Sequence, residues 1–243
     1  MAEKRSPTWE WDELVLVCDL MAFPPGGRVE WYRLLEEHAE VRELSEMLQR
    51  LPLHAPEQRG ARFRTPGAVA RKGENIRQWH ESFGHGHNNG GKRDREVLDH
   101  FLRNPVEMHK QAEALRLEYR AGNLADLPSL EADVDEGAAE GSVLRRLHLV
   151  RERDPALRQK KIDAVLEAEG SLACEVCTFD FERFYGERGK GFAEVHHAVP
   201  LHITGPTKTR LGDLVVLCSN CHRMIHRGKE WLTPDELRGR VRG

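Results

Sequence analysis

Apolar positions recur at helical spacing through most of the first 120 residues. "WDELVLVCDL" (Trp11–Leu20) is apolar almost throughout, which predicts a short helix buried on several sides. "PPGGR" (Pro24–Arg28) breaks the chain. From Glu30 to Leu51, residues Leu34, Leu35, Val41, Leu44, Met47, Leu48 and Leu51 fall on one stripe; this predicts a helix, with a second start available at Ser45, that Pro52 ends. In "FRTPGAVARKGENIRQWHESF" a Thr-Pro start opens another helix, whose inner face is Val69, Ile76 and Trp79. "GHGHNNGG" (Gly84–Gly91) reads as a Gly-rich loop, and "DREVLDHFLRNPVEMHKQAEALRLEYRAG" returns to helical spacing. After residue 143 the pattern changes. "VLRRLHLVRERDPALRQKKIDAVLEAEG" predicts two basic helices divided at Asp154-Pro155. "FAEVHHAV" and "LVVLC" then read as strands and "NCHRMIHR" as a helix. The expected fold class is α+β: a mainly α-helical N-terminal domain, an acidic linker and a small C-terminal ββα domain.

Charge supports that division. The net charge is −3, but "ADLPSLEADVDEGAAEGS" (Ala125–Ser142) holds six acids and no base. Residues Arg59–Arg95 hold nine Lys and Arg against three acids, and Val143 to the end eighteen against fourteen. Two basic segments separated by an acidic, core-poor spacer suit a protein that meets phosphates in two places, although charge runs also serve simply as solvated faces. The expected domains are 1–122, a linker at 123–143, and 144–243. No apolar run reaches membrane-spanning length and the start lacks a secretion signal, so a cytoplasmic protein without membrane contact is expected.

The cysteines carry the first chemistry. Cys174 and Cys177 form one C-x-x-C knuckle, and Cys218 and Cys221 a second. Four thiolates from two tight turns are the donor set of a closed structural zinc site. Cys18, alone in an apolar helix, reads as a core residue. With that zinc coordinatively full, the nearby histidines are available for another ion. His222 and His226 lie at i and i+4 on one helix face, roughly 6 Å apart. His196 and His197 adjoin each other on a strand, where neighbours face opposite sides. Both serve one site only where the strand bends or ends, as Pro200 makes it do, leaving one to bind metal and the other to act as a base.

Cys-x-x-Cys, an acidic-aromatic turn, Glu-Val-His-His, Pro-Leu, Cys-x-x-Cys-His and a further His, over roughly the last 75 residues, resemble the HNH nucleases of the ββα-metal fold. More narrowly, the chain is similar to the McrA-type modification-dependent restriction endonucleases, which place a helical reader of modified cytosine before such a nuclease. The resemblance implies His197 as general base, with His196, His222 and His226 as ligands of a catalytic divalent ion. That ion would be Mg²⁺ in the cell, although imidazole suits Mn²⁺, Co²⁺ or Ni²⁺ better. Where the family often carries a supporting Asn, this chain has Asp213; Asn220, between the second pair of cysteines, is an alternative.

The implied function is hydrolysis of DNA containing 5-methylcytosine or 5-hydroxymethylcytosine. The alternatives are an HNH homing or nicking enzyme without modification dependence, and a zinc-stabilised DNA-binding protein that does not cut. The expected partner is double-stranded DNA. Arg62, Arg64, Arg71, Lys72 and Lys92 are candidates for phosphate contact, and Trp79 serves either reader or core. One HNH centre cuts one strand, so a homodimer is expected for double-strand cleavage.

Overall fold

The computed structural model describes residues 6–28, 30–83, 89–124, 127, 143–144, 147, 154–198, 209–227 and 232–242. The chain divides into two compact units, 1–127 with 141–143, and 128–140 with 144–243. Most of the acidic run, the first of the two expected basic helices apart from Val143, Leu144 and Leu147, His85, His87 and Pro200 lie outside the described residues. Among the described residues, no helix is long and apolar enough to cross a membrane.

The first unit is helical. Helix α1 (Trp11–Ala22) packs against α2 (Ala39–Arg50), α3 (Pro66–Arg77), α4 (Lys92–Arg103) and α5 (Pro105–Arg120). That arrangement is why its apolar residues run continuously: Leu14 to Cys18, Leu20 and Met21 are all buried. Helix α2 begins at Ala39, not at Glu30 as its stripe suggested. Residues before it are tied down otherwise: Tyr32 N–H donates to the carbonyl of Met21 and Tyr32 stacks on His38. Ser45 does not restart the helix; its hydroxyl donates to the carbonyl of Arg64 from inside α2. Thr65 caps α3 as its Thr-Pro start predicted, accepting from Ala68 N–H. The run after Gly91 is two helices, because Pro105 cannot continue α4 and Asn104 turns out of helical geometry.

Arg64 occupies the middle of this unit. It was expected on the DNA-facing surface, but it is 1% exposed. Its guanidinium donates from Nε and Nη2 to both carboxylate oxygens of Glu13, at 2.6 Å each, from Nη1 to the carbonyl of Pro7 and from Nη2 to that of Thr8. The Trp9 ring lies 4.0 Å away. All this guanidinium's donor capacity faces inward, so it is a core tie and not a phosphate contact. Arg64→Ala is expected to destabilise the first unit by about 3–5 kcal/mol, since it breaks a buried ion pair and leaves the Glu13 carboxylate to His54 and the Glu10 N–H. Urea unfolding of the variant checks this, and a change below 1 kcal/mol would refute the buried tie.

In the second unit, β1 (Glu194–His197) pairs antiparallel with β2 (Leu214–Leu217), in the register Glu194↔Leu217, Val195↔Val216, His196↔Val215 and His197↔Leu214. Helix α6 (Pro155–Glu169) covers one face, where Ile162, Leu172, Ala193, Val195, Leu214 and Val216 form a core. Helix α7 (Phe181–Tyr185) follows the first cysteine knuckle; α8 (Ser219–Ile225) carries the second, and α9 (Pro234–Arg238) packs against α8. The unit is thus a two-stranded ribbon between a long helix and a short one.

Candidate functional site

The second core of this unit is built around sulfur. Cys174, Val176, Leu217, Cys218, Cys221, Ile225, Leu232 and Leu237 are buried together. The first knuckle is a turn in which Thr178 N–H donates to the carbonyl of Cys174, and Cys174 N–H to that of Phe179. It is sewn to β2: Glu175 N–H donates to the carbonyl of Val216, whose own N–H donates to Glu175 Oε1 at 2.7 Å. The second knuckle is the N-terminus of α8, where Cys218 Sγ accepts from Cys221 N–H at 3.4 Å. From α9, Arg238 donates to the carbonyl of Glu175. The four sulfurs lie within 4.8 Å of one another, with Cys177 Sγ 3.6 Å from Cys218 Sγ.

That spacing fits zinc. Four sulfurs at about 2.3 Å from one ion stand about 3.8 Å apart at the corners of a tetrahedron. The electrostatics agree with the geometry. Burial, then the neighbouring Cys177 and Cys218, push the Cys221 thiol far above its ordinary range. Burial also acts on Cys174, but the N–H groups of Cys177, Cys218 and Val176 outweigh it and hold that thiol below its ordinary value. Crowded thiols of this kind lose their protons together only to a cation at their centre. Cys18 is buried in α1, outside this group.

The histidines gather on a neighbouring side of α8. His196 is fully buried on β1, and the alternation that turns Val195 toward α6 turns His196 toward α8. There it meets His222 and His226, with ring centroids 5.6 Å and 4.8 Å away, and their ligand nitrogens lie within 4.8 Å of one another. The i, i+4 spacing puts His222 and His226 on one face of α8, while Cys221 and Ile225 fill a neighbouring face about 100° around the helix. One short helix therefore serves both groups. Three imidazoles converging from a strand and a helix fit a divalent cation of the transition-metal type.

His197 is 3% exposed and stands outside this trio, at the end of β1. Its Nε2 is 3.2 Å from the Thr209 hydroxyl. Asp213 acts here through the backbone: its carbonyl accepts from Ala198 N–H at 2.8 Å, while its carboxylate accepts from Arg210 N–H at 2.7 Å. Asn220 is exposed, and two residues along a helix place it about 200° around α8 from His222, turned away from the histidine group.

Two residues near the histidines were not singled out in the sequence. Glu194 Oε2 is 3.9 Å from His222 Nδ1. Strand alternation would have found it, since it shares a face with His196. Nothing in "TKTRLGD" marks Thr209, because its role depends on where a loop returns.

The expected reader residues separate into two classes. Arg62 and Arg71 are exposed and line a cleft of about 680 Å³ with Arg42, Glu36 and the first turn of α3. Lys92 is 90% exposed, with Glu96 3.4 Å away. Lys72 is only 14% exposed, and Asp94 accepts from its ammonium with both oxygens at 2.9 Å, so it closes the core instead of facing a phosphate. Trp79 is half-buried, with Arg95 5.5 Å over its ring.

Comparison with known proteins agrees with the second unit's geometry. Residues 174–228 match the HNH endonuclease family. The chain is 34% identical over 94 residues to the type IV methyl-directed restriction enzyme EcoKMcrA of Escherichia coli (strain K12). That match covers 39% of this chain and 31% of the relative, so the chain spans about a third of the length of the curated relative it matches. No solved structure matches the chain significantly. Two cysteine knuckles, a His-His strand and a histidine-bearing helix, all within the matched segment, make residues 174–228 an HNH endonuclease domain.

Proposed function

We propose that this protein is a restriction-type DNA endonuclease that cuts DNA carrying 5-methylcytosine or 5-hydroxymethylcytosine. The convergence of His196, His222 and His226 on one point within the HNH segment carries the reading, because it supplies an ion site separate from the four-sulfur core. The family match supports nuclease chemistry, and the methyl-directed relative supports the choice of substrate.

Phosphodiester hydrolysis needs an activated water, stabilisation of charge on phosphorus and help for the departing oxygen. His197, held at the end of β1, takes the proton from water. His196, His222 and His226 would hold a divalent ion, which when bound would supply charge stabilisation at the phosphate and the leaving oxygen. Cys174, Cys177, Cys218 and Cys221 would hold zinc, which would keep β2 and α8 in register, so that the trio meets. The expected products carry 5′-phosphate and 3′-hydroxyl ends. The helical unit acts as reader, and Arg62 and Arg71 hold backbone phosphate at their cleft, with Lys92 as a peripheral contact. The acidic stretch links the two, the protein works in the cytoplasm, and two copies cut both strands.

A digestion panel tests this. One plasmid sequence carrying cytosine, 5-methylcytosine, 5-hydroxymethylcytosine or phosphorothioate linkages is incubated with Mn²⁺, Mg²⁺ or EDTA. Cleavage of the two modified-cytosine substrates with a divalent ion, none with EDTA and little of unmodified DNA is expected. Equal cutting of unmodified DNA would replace the modified-base reading with that of an ordinary HNH nuclease. Binding without cutting under every ion would leave only a zinc-stabilised DNA-binding protein.

A further inference from the structure

The three histidines of the trio are unequally exposed. His196 is fully buried, whereas the His222 side chain is 21% exposed and His226 is half-buried. A phosphate therefore reaches this group along α8 and not through β1. Two arginines stand on that approach. Arg223 and Arg227 each follow one of the α8 histidines, and one residue along a helix is about 100° of turn, so they lie beside the histidine face on the side away from Cys221 and Ile225. Arg227 sits in the turn that ends the helix, where its N–H donates to the carbonyl of Met224. Both side chains are exposed, and among the described residues neither meets a carboxylate. Other arginines of this unit are committed: Arg158 donates to the carbonyl of Ala193, and Arg238 to Asp235 and the carbonyl of Glu175. Charge is also polarised along the histidine face. Glu194 stands at its start, with Oε1 3.5 Å from the Ser219 hydroxyl and Oε2 3.9 Å from His222 Nδ1. An anionic strand is repelled at that end and drawn to the other, where Arg227 stands.

We propose that Arg223 and Arg227 hold the backbone phosphates beside the one that is cut, and so lay the substrate strand along α8. The proposal rests on the reading of this unit as a nuclease. Contacts to phosphate position a strand without reading its bases, so these two arginines serve modified and unmodified DNA alike. A cation in the last turn also suits the helix dipole, and the test separates that scaffold role from a DNA contact.

The test uses the full zinc-loaded chain and two double variants, one with Arg223→Gln and Arg227→Gln, the other with Arg223→Lys and Arg227→Lys. Binding to a duplex carrying 5-methylcytosine, and to the same duplex unmodified, is followed from about 50 to about 200 mM salt without added divalent ion. Each lost phosphate contact should reduce the slope of log K against log salt by about 1, so the Gln pair should lose about 2, equally on both duplexes. The Lys pair should keep the parental slope, because a phosphate contact of this kind needs the charge and not the guanidinium fork. On methylated plasmid with Mn²⁺, the Gln pair should raise KM about 3–10-fold and leave kcat within about twofold, the signature of lost uniform binding. Zinc content and the protection of β1 and β2 amides should match the parent in both variants. A Gln pair with the parental slope and KM would overturn the proposal. So would a loss confined to the methylated duplex, or one accompanied by loss of zinc, which would make the arginines part of the scaffold. Failure of the underlying reading shows up separately, as a parent chain that binds neither duplex, and the proposal would fall with it.

Discussion

His197→Ala is expected to cut modified DNA about 10²–10⁴-fold more slowly than the parent, the contribution of a positioned general base. Three measurements should not change: DNA affinity, zinc content and the content of divalent ion at the histidine trio. The separation follows from the ribbon. His196 and His197 are neighbours in sequence, but only His196 reaches α8 and its two histidines. Losing the His197 ring should therefore leave the ion site and the sulfur core intact.

The companion variant His222→Ala makes the contrast. It removes one of three nitrogens from the ion site and none of the sulfurs. Its loss of cleavage should be partly restored by raising Mn²⁺, because a weakened site still fills at higher concentration. The loss in His197→Ala should not respond to added metal. If His197→Ala keeps activity within tenfold of the parent, or if Mn²⁺ restores it as well as it restores His222→Ala, then His197 is not the base.

What the sequence revealed of this site, and what it hid, depends on where each signal arises. The two C-x-x-C knuckles and the i, i+4 pair of histidines are local patterns, and local patterns fix local geometry. The four sulfurs are gathered as their spacing suggested, as are His222 and His226, and His196 joins them as the resemblance implied. The burial of Leu34, Val41, Leu44, Met47, Leu48 and Leu51 likewise follows their stripe. The stripe overshot at the start of α2, because residues can be buried without being helical: Leu34 is buried ahead of the helix. Arg64 and Lys72 were misread for a different reason. A charge count does not say which cations have a carboxylate waiting across the fold, and Glu13 lies 51 residues from Arg64. Asn220 was misplaced because closeness to His222 in sequence is opposition on a helix. Thr209 was invisible, since its partner is set by a returning loop and by no pattern in the chain.

Removing zinc is expected to unfold the second unit while the first keeps its structure. The sulfur-centred core contains eight buried residues, three of them cysteines. Without a cation, those positions hold crowded thiols whose protons burial retains, as for Cys221. The apolar remainder, chiefly Val176, Leu217, Ile225, Leu232 and Leu237, is small for holding β2, α8 and α9 together. Structural zinc contributes about 10–16 kcal/mol of apparent binding free energy in small zinc domains, against about 5–15 kcal/mol of total stability for a typical domain. Stripping the metal therefore removes as much as the unit has. Chelation, or Cys221→Ala, should abolish the cooperative unfolding of this unit, expose β1 and β2 amides to rapid hydrogen exchange, and leave α1 protected in its own core of Leu14, Leu16 and Met21. Cleavage should vanish with it, because α8 carries His222 and His226 on the same few turns that begin at Cys218. His222→Ala should behave oppositely, keeping one zinc per chain and its protected strands while losing activity. Protected β1 and β2 amides in fully chelated protein would show that sulfur does not organise this scaffold, and the placement of the histidine trio would then need another cause.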